Sequence, residues 1–123
     1  MLKNIKIFSK LILRNMPKII IKNLNNQEVE LNDPKKSVLQ LIGEAYIDWM
    51  QACGGKGRCT TCTMVVHQGM EHLNELTAAE EKFKSAGRLN TNQRLACQCV
   101  ASSDIVISTP EKYKLPHVNY SDN

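Results

Sequence analysis

The order of segments along the chain predicts a small α+β domain, and three observations carry that expectation. Short β-rich runs recur at residues 18–23, 27–31, 63–67, 94–100 and 104–108. One helical stretch with apolar residues near a 3.6-residue period separates the first pair of runs from the rest. A second, shorter helix is announced by its own start signal at Thr77. A sheet and one main helix make two apolar layers, enough for the single core that 123 residues can bury.

Each element has a local reason. Lys18 to Asn23 (KIIIKN), the polar turn Leu24-Asn25-Asn26, and QEVEL with Val29 and Leu31 alternating against acids read as a β-hairpin. Asp33-Pro34 ends it, because proline holds the residue before it extended. Ser37 is an N-cap for a helix whose buried face takes Val38, Leu39, Leu41, Ile42 and Ala45. Thr63 to His67 reads as a strand, with a turn at Gln68-Gly69. Thr77-Ala-Ala-Glu80 matches a capping box, so a short helix is expected to Ser85, stopped near Gly87. Arg94 to Val100 and Asp104 to Ser108 read as the last two strands, and Pro110 breaks the pattern. Three parts are expected: a basic extension at 1–15, a domain at 16–110, and a loose polar tail at 111–123.

Charge is unevenly placed. Four of the sixteen basic residues (Lys3, Lys6, Lys10 and Arg14) lie in the first fifteen positions, where there is no acid. The remaining twelve balance twelve acids, so net charge does not point to nucleic acid. The extension reads as the product of a mis-set or alternative start, with Met16 as the true one, as a targeting segment, or as a disordered or weakly helical tail. No apolar run reaches the roughly 18 residues of a membrane span. A cytoplasmic protein is expected, with targeting by the extension left open.

The cysteines are the sharpest feature. Cys53, Cys59 and Cys62 fall within CGGKGRCTTC, and Cys97 and Cys99 follow 34 or more residues later. A disulfide gains most by closing a long loop, so three neighbours in one turn make a poor staple. Grouped thiols in a reducing compartment bind metal or do redox chemistry. Thiolate sulfur selects zinc, copper(I) or iron–sulfur clusters. A cluster with two irons needs four cysteines; one compact loop can supply three, and crowding sends the fourth elsewhere. Gly54, Gly55 and Gly57 permit backbone angles that turn amides inward, and such amide nests stabilise anions.

CGGKGRCTTC followed by RLACQ resembles the 2Fe–2S ferredoxin family, in its adrenodoxin-like branch with five residues between the first two cysteines. The likeness extends over about Pro17 to Pro110. It implies a β-grasp fold, one 2Fe–2S cluster as cofactor, and electron transfer rather than enzyme catalysis. Carried over by motif, the ligands are Cys53, Cys59, Cys62 and Cys97. Spacing alone leaves Cys99 open as the fourth, since alternate strand residues share a face.

The resemblance also implies partners: a ferredoxin reductase and an acceptor such as an oxygenase, a cytochrome P450 or a biosynthetic enzyme, met transiently by a monomer. Relatives resembling adrenodoxin dock through acids that fall here at Glu80 and Glu81, but Lys82, Lys84 and Arg88 follow closely. Two other readings stand beside the free carrier. One is an electron-transfer subunit of a larger oxidoreductase. The other is a structural zinc module using Cys59, Cys62, Cys97 and Cys99, which leaves Cys53 and the glycines without a role. His67, His72 and His117 have no ligand spacing and are expected at the surface.

Overall fold

The computed structural model describes residues 16–123; the basic extension and every expectation attached to it lie outside the described residues. Strand β1 (Lys18–Ile21) and β2 (Gln27–Glu30) form the antiparallel hairpin, with Lys18 opposite Glu30 and Ile21 opposite Gln27. Its turn places Asn25 and Asn26 at φ +56°, a region asparagine tolerates better than most residues.

Helix α1 (Val38–Glu44) begins at Ser37, whose hydroxyl accepts from Gln40 N while the Gln40 side chain accepts from Ser37 N. It buries Val38, Leu39, Leu41 and Ile42. Strand β3 (Thr63–Gln68), helix α2 (Ala78–Ser85), β4 (Gln93–Leu95) and β5 (Ile105–Ser108) complete the set. The two helices have seven and eight residues, so neither is the main one by length.

The sheet order is β2-β1-β5-β3-β4. β1 and β5 run parallel, with Ile19 beside Ile105 and Ile21 beside Ile107. All four isoleucines are fully buried, as a strand pair facing the core requires. β3 runs antiparallel to β5 and β4. This is the mixed sheet with two helices that the β-grasp expectation describes.

Two expectations need correction. The strand expected over 94–100 ends at Leu95, and residues Ala96–Gln98 form a 3₁₀ turn. The backbone beyond it is claimed by other partners: Val38 N donates to Cys99 O (2.8 Å), Val100 N to Asn74 Oδ1 (2.7 Å), and Asn74 Nδ2 to Gln98 O (3.0 Å). The tail at 111–123 is packed rather than loose. Tyr120 is buried, Ser121 N donates to Asn23 O (2.9 Å), and the Tyr113 hydroxyl meets Thr60 Oγ1 at 2.6 Å. Among the described residues no helix is long and apolar enough to cross a membrane.

Candidate metal centre

The glycine-rich loop is set between two fixed points. At its start, the buried Trp49 donates its indole N–H to Cys62 O (3.1 Å). Beyond it, β3 begins at Thr63, whose hydroxyl is bonded to Thr60 O. Between them Gly54, Gly55 and Gly57 stand at φ +67°, +81° and +70°, a region that costs other residues about 1–2 kcal/mol. A Cβ on Gly57 would lie 2.8 Å from Gln98 Nε2 and 3.4 Å from Ala79 Cβ, so the loop tip sits against α2 and the 3₁₀ turn.

The fold sets Cys97 beside the loop that carries Cys53, Cys59 and Cys62: Ala96 N donates to Cys62 O (3.3 Å), and a Cβ on Gly55 would lie 3.8 Å from Cys97 Cβ. All are free of disulfides. Burial pushes the Cys53 thiol up, but the Cys59 thiol and the amides of Arg58, Lys56 and Gly55 outweigh it and bring the pKa down to about 7. The Cys62 thiol brings Cys97 down to about 6 against its burial, with help from the Gln98 side chain and the Gly57 amide. The Cys97 thiol, with burial, pushes Cys62 up. The loop therefore favours negative sulfur through donated hydrogen bonds, the electrostatics a thiolate-bound cluster needs.

Cys99 belongs elsewhere. It is fully buried, its sulfur lies 3.8 Å from Glu80 Oε2, and burial with that carboxylate pushes its thiol up. Among the described residues no three His, Cys, Asp or Glu side chains converge on one metal point. A structural zinc on Cys59, Cys62, Cys97 and Cys99 would need the Cys99 sulfur, which instead lies in the core beside Glu80. Three hydroxyls near the loop are accounted for: Thr61 Oγ1 meets Cys59 Sγ at 3.1 Å and Ala52 N at 2.8 Å, Thr60 meets Tyr113, and Thr63 closes the turn.

Two residues escape the sequence reading. Gln98, whose side chain donates to Cys97 Sγ (3.6 Å), carries only the signal of an amide beside a cysteine. Tyr113 carries none, since its contact with Thr60 crosses 53 positions. Glu80 requires a correction. It was expected at a docking face, yet it is fully buried and holds Arg94 through two bonds, Nε to Oε2 at 2.6 Å and Nη2 to Oε1 at 2.9 Å. Glu81 remains exposed. His67 and His117 lie at the surface, and His72 is half-buried with Nδ1 2.7 Å from Asp104 O.

Comparison with known proteins identifies the family. Residues 20–102 match the family described as the 2Fe–2S iron–sulfur cluster binding domain. The chain is 38% identical over 85 residues to a 2Fe–2S ferredoxin of Haemophilus influenzae, covering 68% of this chain and 74% of that one. It is 30% identical over 98 residues to 2Fe–2S ferredoxin-5 of Aquifex aeolicus, covering 77% and 100%. The crystal structure of an ISC-like [2Fe–2S] ferredoxin from Pseudomonas putida superimposes with a TM-score of 0.66 at 33% identity, over 84% of this chain and 99% of that one. The fold and these likenesses converge: the chain belongs to the 2Fe–2S ferredoxin family, whose members carry electrons on a bound 2Fe–2S cluster.

Proposed function

We propose that this protein holds its cluster through Cys53, Cys59, Cys62 and Cys97 and shuttles single electrons from a reductase to an acceptor protein. The observation that carries the reading is that the left-handed glycine loop holding Cys53, Cys59 and Cys62 folds against Cys97, with Ala96 N on Cys62 O (3.3 Å) and the Gly55 Cβ position 3.8 Å from Cys97 Cβ. The cluster, when bound, supplies a one-electron couple and no bond chemistry at the protein. The chain's own part is to hold the four sulfurs, to offset their charge with amides of Gly55, Lys56, Gly57 and Arg58, and to shield Cys62 from water. Electron acceptors of the oxygenase, cytochrome P450 or biosynthetic kind fit such a carrier, which would meet them as a monomer through a small, transient interface.

The test is a visible spectrum of the purified full chain with a redox titration. A coloured protein that bleaches on taking up one electron per chain is expected. A colourless protein, or one holding zinc in place of iron, would sink the reading. Native mass measurement on material from the source cell separates a free carrier from a subunit of a larger oxidoreductase, which would stay in a persistent complex.

A further inference from the structure

Beside the loop lies a cleft of about 300 Å³ between the end of α2, the approach to β4 and the turn Glu111–Tyr113. Its walls include Thr60, Arg88, Asn90, Gln93, Lys112 and Tyr113, and no carboxylate lines it. Thr60 sits between Cys59 and Cys62 in the chain and is bonded to Tyr113, so the cleft is joined to the loop.

Both cations at its edge are exposed and held in place by aromatic rings. Arg88 Cζ lies 5.3 Å from the Phe83 ring centre, and Lys112 Nζ 5.4 Å from that of Tyr113. Lys56 and Arg58 stand exposed on the loop tip itself. Among the described residues, no ion pair engages any of these four. The nearby acids are diverted: Glu111 pairs with Lys114 (2.8 Å), and Glu80 is buried against Arg94. Glu81 is the one exposed carboxylate of α2, against exposed Lys82 and Lys84.

We propose that this cleft receives a carboxylate of the electron-transfer partner, so that the partner brings an acidic surface to the cluster loop. The inference rests on the electron-carrier reading. Two cations on rings offer a carboxylate charge, while the side chains of Asn90 and Gln93 offer polar neighbours. Surface cations of this kind steer an encounter and fix its orientation more than they tighten it. The partner would then approach over Thr60, beside two of the loop cysteines.

The test uses the reduced, cluster-loaded full chain with hexacyanoferrate(III), an anionic acceptor. One electron passes to give hexacyanoferrate(II), and no bond is made or broken. The wild-type rate should fall as ionic strength rises from about 0.01 M to about 0.1 M, where the screening length shrinks from about 30 to 10 Å. Neutralisation in Arg88→Gln/Lys112→Gln should lower the low-salt rate by about tenfold. The pair Lys22→Gln/Lys35→Gln, which does not line the cleft and makes the same change in net charge, should alter it less than about twofold. A short poly-aspartate peptide should bind the wild type by calorimetry and slow the reaction, and do neither in the cleft variant. Lys112→Gln alone, at an exposed site, serves if the double variant fails to fold. A wild-type rate that rises with salt, or equal effects from both pairs, would overturn the docking proposal. Loss of the visible spectrum in the wild type would instead remove the carrier reading beneath it.

Discussion

Cys97 and Cys99 stand two positions apart, and their sulfurs live in different surroundings. The Cys97 sulfur accepts from the Gln98 side chain (3.6 Å) beside the glycine loop; the Cys99 sulfur lies in the core against Glu80. Cys97→Ser should therefore prevent normal cluster assembly, while Cys99→Ser should leave a redox-active cluster, as visible absorption will show. The reverse pattern would refute the ligand assignment. The 53-59-62 spacing was legible in the sequence because those residues share one loop. The choice between 97 and 99 was not, because a strand over 94–100 would have put both on one face. Gly69 gives a second residue-scale prediction. It stands at φ +87°, and a Cβ there would lie 2.3 Å from Asp104 O, a backbone atom with little room to move. Gly69→Ala should destabilise the fold by at least about 2 kcal/mol, measured by urea unfolding.

At the scale of elements, Glu80 fastens α2 to β4. Its carboxylate accepts from Thr77 N (3.2 Å), from Arg94 twice and from Leu95 N (3.0 Å), and Leu95 leads directly into the turn that carries Cys97. The capping box was readable from Thr77 and Glu80, and the helix is where the box places it. The longer reach of Glu80 was not readable, because Arg94 is fourteen positions away and nothing local marks it. Burial works to raise the Glu80 pKa, but Arg94 and the amides hold it below the usual 4.5. Arg94→Met should cost about 3–5 kcal/mol at pH 7, since it leaves a carboxylate buried without its cation. In the wild type the pair's contribution is full above pH 4.5 and is lost as pH falls through the lowered folded value. In the variant the isolated carboxyl has a raised pKa and regains stability by taking up a proton as pH falls. The difference between the two should narrow from pH 7 to pH 5 in urea unfolding; a constant gap would argue against the ionised pair.

Over the whole molecule, the C-terminal segment closes the fold. It reaches Thr60 through Tyr113, Asp48 through His117 (2.8 Å) and Asn23 through Ser121, while Tyr120 is buried and its hydroxyl accepts from Leu115 N (2.9 Å). Removing residues 111–123 should cost about 2 kcal/mol through the loss of Tyr120 burial, read as a lower thermal midpoint. It should also hasten loss of visible colour on standing, because Thr60 loses the hydroxyl that braces it. An unchanged midpoint would show the segment to be dispensable. Its polar composition suggested a loose tail, and composition cannot register contacts with residues 53 to 99 positions earlier.

The sequence by itself determined what local physics controls. It set the strand alternation, the two capped helices, the glycines that let a loop turn its amides inward, and the chemistry of the three clustered thiols. Tertiary structure decided what depends on distant residues meeting. It set Cys97 beside the glycine loop and put Cys99 in the core, withdrew Glu80 from the surface, folded the tail onto the loop, and gathered Arg88 and Lys112 at one cleft. Periodicity and spacing are properties of neighbours in the chain, whereas burial and pairing are set by packing between segments.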